Sequence, residues 1–426
     1  MNSEDIRRIN HIFYTSFRDQ ANAPHCLFVC YVLFVLRAVK YLFKFNFKCK
    51  GINEILFIVP SLNNKKSIRT IADNLPPEKI TIWEQLRKDL PWALIYFEAV
   101  RHLWLFQKLY NTSSDEDKKL MRRFFMQFMM TPAYYCVFKK ILRESCQIKM
   151  IVFSNDHFTI NRCLLEAANG LCIKTLYVQH ASVTEKFPPL HFTYSFLDGI
   201  ESYEKYKMIG DIRGQVFLTG SPRFDELLSY TGVTKEYVIG VALNMLDNCD
   251  KVLELCNYLK SNVSEKIIVR PHPRMGDEFN PLLFESNGIA ISNSVQESSF
   301  AFLSKIEYLI ANESSIHLDA AMIGVPSLLF NFSDNEIRDW YSYIKKGLIK
   351  VCCDYEDVVN HLNSKPNLPI TSIRYYVASF QTSKEGHLGE MIAEFIKKTL
   401  CESDLAGLIY LNSFMENVGD YYVYKN

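Results

Sequence analysis

Short runs of β-branched and aromatic residues alternate with helical stretches along nearly the whole chain of 426 residues. Strands separated by helices pair in parallel, because each helix carries the chain back to the start of the next strand. The pattern therefore predicts an α/β protein built on parallel sheets. The expected strands are 55–60, 79–83, 149–154, 174–179, 215–220, 237–243, 266–271, 288–292, 307–312 and 326–332.

A polar, turn-prone stretch, SYTGVTKE at 229–236, interrupts the alternation. Two α/β blocks of similar size, one on each side of this break, predict two Rossmann-like domains that face each other across a cleft, and the length suits two domains. The predicted segments are an N-terminal segment 1–50, a first domain 51–230, a second domain 237–386 and a C-terminal helix and tail 387–426. Ligands of such sheets bind beyond the carboxyl ends of the strands.

The N-terminal segment is basic and apolar. It holds eight Lys and Arg against three Asp and Glu, although the net charge of the chain is only +1. The run CLFVCYVLFVL at 26–36 is too short to span a bilayer, and Arg37, Lys40, Lys44 and Lys48 follow along one helix face. This pattern predicts docking on the inner face of an anionic membrane. The alternative is a packing helix with a solvated basic side.

The 12 cysteines show no CxxC pair and no metal-ligand spacing. We interpret them as reduced cysteines of a cytoplasmic protein, and no signal peptide is visible. Neither a metal nor a bound cofactor is expected. The near-neutral net charge gives no indication of a nucleic-acid partner.

The stretch KIIVRPHPRM places His272 directly after a predicted buried strand. Pro271 and Pro273 fix the backbone on both sides of the histidine, and Arg270 and Arg274 favour an anion nearby. A histidine held in this way can donate to a phosphate or give a proton to a leaving group. The alternative is a turn with a surface histidine.

A second candidate lies in YLIANESSIHLDAAMIGVPSLLF, where Ser314 and Ser315 open a predicted helix after a strand. Hydroxyls and N–H groups at a helix start favour phosphate, although a serine N-cap is also common. Both His272 and Ser314 follow strands of one domain, so both can face one diphosphate or monophosphate. Glu297, between them, is either a ligand of ribose hydroxyls or an ordinary first-turn acid.

In the first domain, His180 follows the strand TLYVQ, at the place of a base on the acceptor side. Asp156 and His157 end another strand and are candidates for binding the acceptor. Arg223, after a third strand, either reaches the donor phosphate or pairs with Asp225 at the hinge.

These motifs resemble a known group of enzymes. The segments VQHAS, GSPRFDEL, PHP and ANESSIHLDAAMIGVPSLLF, over about residues 174–335, are similar to those of CDP-glycerol glycerophosphotransferases and related bacterial capsule and lipopolysaccharide glycosyltransferases. Bacterial sialyltransferases share the HP element, the serine pair and an acid like Glu297. The resemblance implies a GT-B fold, a cytidine-nucleotide donor, phosphate contacts from His272, Ser314 and Ser315, a nucleoside contact from Glu297, and His180 as general base.

The expected function is therefore metal-independent transfer from a CMP-sugar acid or a CDP-polyol to a lipid-linked surface glycan such as capsule, lipopolysaccharide or a teichoic-acid-like polymer. Two alternatives stay open. One is a non-hydrolysing sugar-nucleotide 2-epimerase, which shares the two-domain architecture. The other is a non-catalytic scaffold for polysaccharide assembly. The sequence does not indicate an oligomeric state.

Overall fold

The computed structural model describes residues 1–17, 25–42, 51–84, 90–230 and 232–425. The described residues form two compact units. Unit 1 comprises 1–223 together with 382–426, and unit 2 comprises 224–381.

The strands are, in chain order, β1 Ile55–Val59, β2 Ile80–Glu84, β3 Met150–Phe153, β4 Lys174–Val178, β5 Tyr194–Leu197, β6 Gln215–Leu218, β7 Tyr237–Ala242, β8 Ile267–Arg270, β9 Ala290–Ile291, β10 Ile306–Ala311, β11 Ser327–Phe330, β12 Lys350–Cys352, β13 Met415–Asn417 and β14 Tyr422–Tyr424. All ten predicted strands are present, with ends that differ by at most two residues.

The helices are α1 Ser3–Ile9, α2 His11–Ser16, α3 Leu27–Leu42, α4 Leu62–Asp73, α5 Trp92–Arg101, α6 Leu103–Thr112, α7 Asp115–Arg123, α8 Phe125–Glu144, α9 Thr159–Asn169, α10 Ile200–Ile209, α11 Cys249–Asn262, α12 Pro281–Glu285, α13 Ser299–Ser304, α14 Ile316–Met322, α15 Tyr355–Asn363, α16 Ile370–Tyr376, α17 Leu388–Cys401 and α18 Asp404–Asn412.

Unit 1 is built on an eight-stranded sheet with the order β13-β14-β6-β5-β4-β3-β1-β2, in which all neighbours except β13 and β14 run parallel. The central strands are buried on both faces, as is usual for a parallel sheet covered by helices. Their carboxyl ends therefore lie along one edge, where loops present polar side chains.

The C-terminal residues complete the core of unit 1. The ring of Phe395 in α17 packs on Tyr194, Phe196 and Phe217, with centroid distances of 5.0, 5.4 and 5.7 Å. A Cβ atom at Gly389 would lie only 2.5 Å from the Cβ of Thr70, so a side chain there would separate α17 from α4. The C-terminal segment thus belongs to the first sheet.

Unit 2 is built on a six-stranded parallel sheet with the order β12-β11-β10-β7-β8-β9. In chain order this is the 3-2-1-4-5-6 arrangement of a Rossmann fold, whose direction reverses between β7 and β10. Helix α13 packs closely on β7, because a Cβ at Gly240 would lie 2.8 Å from the ring of Phe302. The reversal creates a crevice beyond the ends of β7 and β10.

The unit boundaries differ from the segments predicted from the sequence. The chain leaves unit 1 after Arg223, rather than near residue 230, and returns to it at Thr382. Residues 387–426, expected as a separate helix and tail, contribute α17, α18 and two strands to unit 1, and residues 1–17 and 25–42 also belong to it.

Candidate functional site

Polar side chains gather at the carboxyl edge of each sheet. In unit 1 they are Asp156 after β3, His180 after β4, Asp198 after β5 and Arg223 after β6. Together with His157, these residues are called the unit 1 site. The unit 2 site consists of His272 after β8, Asp247 after β7, and Asn312, Ser314 and Ser315 after β10.

Asp156 is the buried anion of the unit 1 site, with 1% of its surface exposed. Its carboxylate accepts hydrogen bonds from Nδ1 of His157 at 3.1 Å and from the hydroxyl of Tyr206 at 2.5 Å. Burial alone would raise the pKa of Asp156, but the hydrogen bonds from His157 and Tyr206 help to lower it below its usual value. Asp156 therefore stays ionised at neutral pH.

His157 is held in one tautomer by its neighbours. Its Nδ1 faces Asp156, which can only accept, and its Nε2 lies 3.2 Å from the amide nitrogen of Asn155, which can only donate. The oxygen of the Asn155 amide already accepts from the backbone N–H of Phe158. Both ring nitrogens of His157 are thus occupied, so this residue supports its surroundings rather than offering a free base.

His180 lies beside this pair and has a different character. Its ring stacks on His157 with centroids 6.0 Å apart, and within the described chain its side chain makes no hydrogen bond, with Nδ1 buried. Burial lowers the pKa of His180 to about 4, Asp156 acts to raise it, and His157 and Arg223 act to lower it further. The imidazole is therefore neutral at physiological pH and able to accept a proton.

Asp198 was not predicted from the sequence. It is 4% exposed, and its Oδ1 atom has no hydrogen-bond partner among the described residues. Burial raises the pKa of Asp198 to about 7, against the lowering effect of Arg223 and with a raising effect of Glu201. A carboxyl group that titrates near neutrality at a strand end is a candidate for proton exchange.

Gln179 ties these strand ends together. Its side-chain oxygen accepts from the backbone N–H of Asp198 at 2.9 Å, and its amide donates to the hydroxyl of Ser202 and to the carbonyl of Ala181.

The charge of Arg223 lowers the pKa values of both His180 and Asp198. Arg223 thus acts electrostatically on the unit 1 site, while its predicted contact with a donor phosphate stays a prediction.

His272 presents a hydrogen-bond donor at the edge of unit 2. The backbone N–H of Arg274 donates to its Nδ1 at 3.2 Å. Because an amide N–H can only donate, the neutral ring carries its proton on Nε2. Partial burial and the charge of Arg274 lower the pKa of His272, which keeps the ring neutral. Exposed Pro273 follows it, and the turn is closed by Met275 N–H donating to the His272 carbonyl.

Arg270 and Glu297 hold each other inside unit 2. The guanidinium of Arg270 is 7% exposed and donates to the hydroxyl of Ser292 and to the carbonyl of Glu297, both at 2.8 Å. The Glu297 carboxylate accepts from Ser292 and from Lys305. Burial would raise the pKa of Glu297, but these bonds and the nearby cations lower it. These contacts give both residues a positioning role, and direct contact with a donor stays a prediction.

Ser314 and Ser315 lie between β10 and the short helix α14. The helix ends at Met322, because Gly324 takes a φ of +79°. The Ser314 hydroxyl accepts weakly from the backbone N–H of Ile316 at 3.3 Å. Ser315 occupies the N-cap without a side-chain cap bond and is exposed, so its hydroxyl is free to meet a ligand.

Asn312 and Asp247 line the crevice between β7 and β10, and neither was predicted as a site residue. The Asn312 amide donates to Asp247 at 2.7 Å, and Asp247 also accepts from the backbone N–H of Asn244 at 2.7 Å. Burial raises the pKa of Asp247, although both hydrogen bonds act to lower it. These bonds fix the loop after β7, next to the serines.

The structure places His272 and Ser314 on the same edge of one sheet. The strands that carry them, β8 and β10, are separated by β7. Two strand spacings correspond to roughly 10 Å between strand axes. A donor that contacts both residues would have to span this separation.

A possible metal-ligand group lies away from both strand edges. Ligand atoms of Glu98 in α5, His102 directly after α5 and Cys136 in α8 lie within 4.8 Å of one another. The Nδ1 of His102 is 3.4 Å from the Glu98 carboxylate, and its Nε2 is 3.8 Å from the Cys136 sulfur. The spacing of these residues in the sequence did not indicate this group.

Helix α3 carries the described part of the basic N-terminal segment. It buries the stripe Cys30, Phe34 and Ala38 and leaves a second apolar face in solvent, which consists of Phe28, Val32, Val35, Leu36 and Val39 and is called the α3 apolar face. Arg37 and Lys40 are exposed beside it, while Lys44 and Lys48 lie outside the described residues. None of the described helices has the length and apolarity needed to cross a bilayer.

Comparison with known proteins gives no match to a protein-family model and none to a curated protein. Solved structures do match. UDP-GlcNAc 2-epimerase from Methanocaldococcus jannaschii aligns with a TM-score of 0.50 at 14% identity, over 80% of this chain and 99% of the epimerase.

Two further structures are similar over most of the chain. The UDP-GlcNAc 2-epimerase of Neisseria meningitidis gives a TM-score of 0.49 at 12% identity, over 82% of this chain and 100% of its own. The wall teichoic acid polymerase TagF gives 0.48 at 13% identity, over 88% and 98%. At such identities the similarity concerns the fold, and with the two parallel sheets it confirms the predicted α/β GT-B class.

Proposed function

We propose that this protein is an enzyme of the glycosyltransferase type, which transfers a group from a nucleotide-activated donor to a hydroxyl of a lipid-linked surface glycan. One observation carries the proposal. At the carboxyl edge of the first sheet, the neutral imidazole of His180 lies beside the ionised Asp156 with no hydrogen bond among the described residues to occupy it. A neutral imidazole next to a carboxylate that stabilises its protonated form can act as the general base for a hydroxyl.

The proton transfer follows from these charges. As the acceptor oxygen attacks the donor, its O–H bond breaks and the proton passes to His180. The negative charge of Asp156 favours the imidazolium that forms, since it acts to raise the pKa of His180. The new bond joins the acceptor oxygen to the transferred group, and the electron pair of the broken donor bond goes to a phosphate oxygen of the leaving nucleotide.

The leaving phosphate is assigned to unit 2. The Nε2–H group of His272 and the hydroxyl of Ser315 are uncharged hydrogen-bond donors, and Ser314 precedes Ser315 in the loop after β10. Fixed donors of this kind stabilise an anion that forms during transfer. The scheme uses these donors, rather than a metal ion, to stabilise the leaving group, and Arg270 with Glu297 keeps the neighbouring turn in place.

The proposed nucleotide of the donor rests on the motif resemblance, and the proposed membrane location rests on α3. The motifs favour a cytidine nucleotide, carried as a CMP-sugar acid or a CDP-polyol. The α3 apolar face with Arg37 and Lys40 supports a peripheral position on the inner face of an anionic membrane, where a lipid-linked capsule, lipopolysaccharide or teichoic-acid-like acceptor is found. The proposed location is therefore the cytoplasmic side of that membrane.

Calorimetric titration with CMP, CDP, UDP and GDP tests the donor assignment. We expect a cytidine nucleotide to bind best. The His272→Ala substitution should weaken binding about tenfold, because it removes one donor to a charged group. His272→Gln, which keeps an N–H donor, should recover part of the loss, and His387→Ala, at an exposed histidine of unit 1, should have no effect.

Two outcomes would contradict this assignment. A preference for guanine or uracil nucleotides would remove the cytidine donor, and the absence of any nucleotide binding would remove the proposed function. Incubation with UDP-GlcNAc alone addresses the epimerase alternative. Reversible conversion to the manno isomer without an acceptor would show an epimerase, whereas we expect no conversion.

A further inference from the structure

Unit 1 contains an open cavity of about 770 Å³, and His157 is the one predicted site residue among its described lining residues. Its size falls within the roughly 300–1,000 Å³ of small-molecule sites. It lies among α2, α3, α5, α8 and the loop after β3. The walls are largely aromatic. Tyr41 stacks on Tyr96 at 5.4 Å, and Trp92 meets Tyr134 edge-on at 6.3 Å.

The charge of the cavity has one sign. Arg37 and Lys40, three positions apart and so on one face of α3, both line it. Neither forms an ion pair with a described carboxylate, and no Asp or Glu is among the described residues of the wall. Unneutralised cations beside aromatic rings favour a ligand that is anionic and partly apolar.

The cavity touches both regions that matter to the proposed transfer. His157, which stacks on His180, forms part of its wall, as does Phe187, whose ring lies 4.7 Å from that of His157. Arg37, Lys40 and Tyr41 belong to α3, the helix that carries the α3 apolar face. The cavity thus connects the unit 1 site with the surface proposed to meet the membrane.

We infer that this cavity binds the phosphate-bearing head of the lipid-linked acceptor. Arg37 and Lys40 hold the phosphate, the lipid chain extends along the α3 apolar face, and the aromatic wall guides the head towards His157 and His180. The direction of the ligand rests on the proposed function, because only that function places the reacting hydroxyl at His180. The binding chemistry, an anionic amphiphile, rests on the cavity itself.

Dodecyl phosphate, used below its micelle concentration, is a suitable probe. Calorimetric titration should show binding that is at least about tenfold tighter than that of neutral dodecyl maltoside or of inorganic phosphate, because only the first probe satisfies both the cations and the apolar wall. The double variant Arg37→Gln/Lys40→Gln should lose about tenfold in affinity for dodecyl phosphate.

A matched control removes the same charge elsewhere in unit 1. Arg69→Gln/Lys119→Gln, at exposed positions on α4 and α7, should leave binding unchanged. Met126→Trp, at a half-buried position in the wall, keeps both cations and should weaken binding by filling the space. Retained secondary structure and an unchanged affinity for CDP would show that each variant is folded.

The outcomes separate the inference from the proposed function. Equal binding of dodecyl maltoside, or an unchanged affinity in the Arg37/Lys40 variant, would overturn the inference. Inorganic phosphate binding as tightly as dodecyl phosphate would do the same, since it would indicate a site for free phosphate. If the wild type binds CDP but not dodecyl phosphate, only the inference fails. If dodecyl phosphate binds as expected and no nucleotide does, the proposed function fails and the cavity assignment stands.

Discussion

The two units place polar residues at equivalent edges of similar sheets, yet the chemistry of the two edges differs. The unit 1 site contains a buried carboxylate with a lowered pKa, a histidine with a pKa of about 4 and a carboxyl group with a pKa of about 7. The unit 2 site presents a neutral His272 and two serines; its carboxylate, Asp247, and Glu297 elsewhere in unit 2 both accept hydrogen bonds from neighbours.

The difference arises from hydrogen bonding rather than from burial alone. Asp198 and Glu297 both follow strands, but Glu297 accepts from Ser292 and Lys305, whereas Oδ1 of Asp198 has no partner among the described residues. These hydrogen bonds and the nearby cations lower the pKa of Glu297, whereas burial raises the pKa of Asp198 to about 7 and also raises that of Asp247 in spite of its two hydrogen bonds. The edge of the unit 1 sheet is thus suited to exchanging protons. The edge of the unit 2 sheet is suited to binding an anion.

The largest expected effect, a loss of transfer activity, tests whether unit 1 supplies the general base while unit 2 binds the nucleotide. His180→Ala should lower kcat of transfer by about 10²- to 10⁴-fold, because it removes the general base. Nucleotide affinity should not change, since the nucleotide is assigned to unit 2. Steady-state kinetics together with calorimetry would measure both quantities, with His387→Ala as the control. A variant that keeps kcat within twofold would end the assignment of His180.

An intermediate effect is expected at Asp198. Because its folded pKa is about 7, above that of an unfolded aspartate, its contribution to stability is complete below about pH 4 and is lost as the pH rises through 7. Asp198→Asn should therefore raise the free energy of unfolding relative to wild type by about 2–4 kcal/mol at pH 8 and by much less at pH 5. Thermal unfolding at the two pH values measures this difference.

Asp211→Asn, at an exposed position of unit 1, is the control for Asp198 and should show no such pH dependence. The prediction is refuted if Asp198→Asn destabilises the protein equally at both pH values. That result would mean that the carboxylate is satisfied and charged, as its counterpart in unit 2 is.

The smallest effect, of opposite sign, is expected at Glu297. Its folded pKa lies below the usual value, so its contribution is present above that value and is lost as the pH falls. Glu297→Gln should lower the free energy of unfolding by about 1 kcal/mol at pH 7, and its effect should shrink as the pH falls through the lowered folded pKa. Thermal unfolding at pH 7 and at lower pH values measures this change in the free energy of unfolding. Glu265→Gln, at an exposed position, is the control. If Glu297→Gln stabilised the protein at pH 7, the contrast between the two edges would be removed.

Local patterns were sufficient to predict the ten strands and hence which residues stand at their ends. They were not sufficient for β5, because Tyr194–Leu197 is only four residues long and follows a proline-rich loop. Missing β5 meant missing Asp198, which directly follows it. The partners of predicted residues were also beyond reach. Tyr206 meets Asp156 across 50 positions, and only the fold brings them together.

Contacts between residues far apart in the sequence also determine the unit boundaries and the direction of the Arg270 side chain. A strand near the C-terminus pairs with β6 across about 200 positions, and no local pattern indicates such a pairing. The position of Arg270 at a strand end was predictable, whereas its contacts with Ser292 and with the ring of Phe302 depend on other elements, and its contact with a donor stays a prediction. Residue type and position were predictable, and side-chain direction was not.

The return of the chain at Thr382 has a consequence for biosynthesis. Unit 2 has its full sequence as soon as Gln381 leaves the ribosome, whereas the older unit 1 still lacks α17 and the strand that covers β6. Unit 1 can therefore complete its core only after all of unit 2 has been translated, because the ring of Phe395 packs on Phe196 in that core.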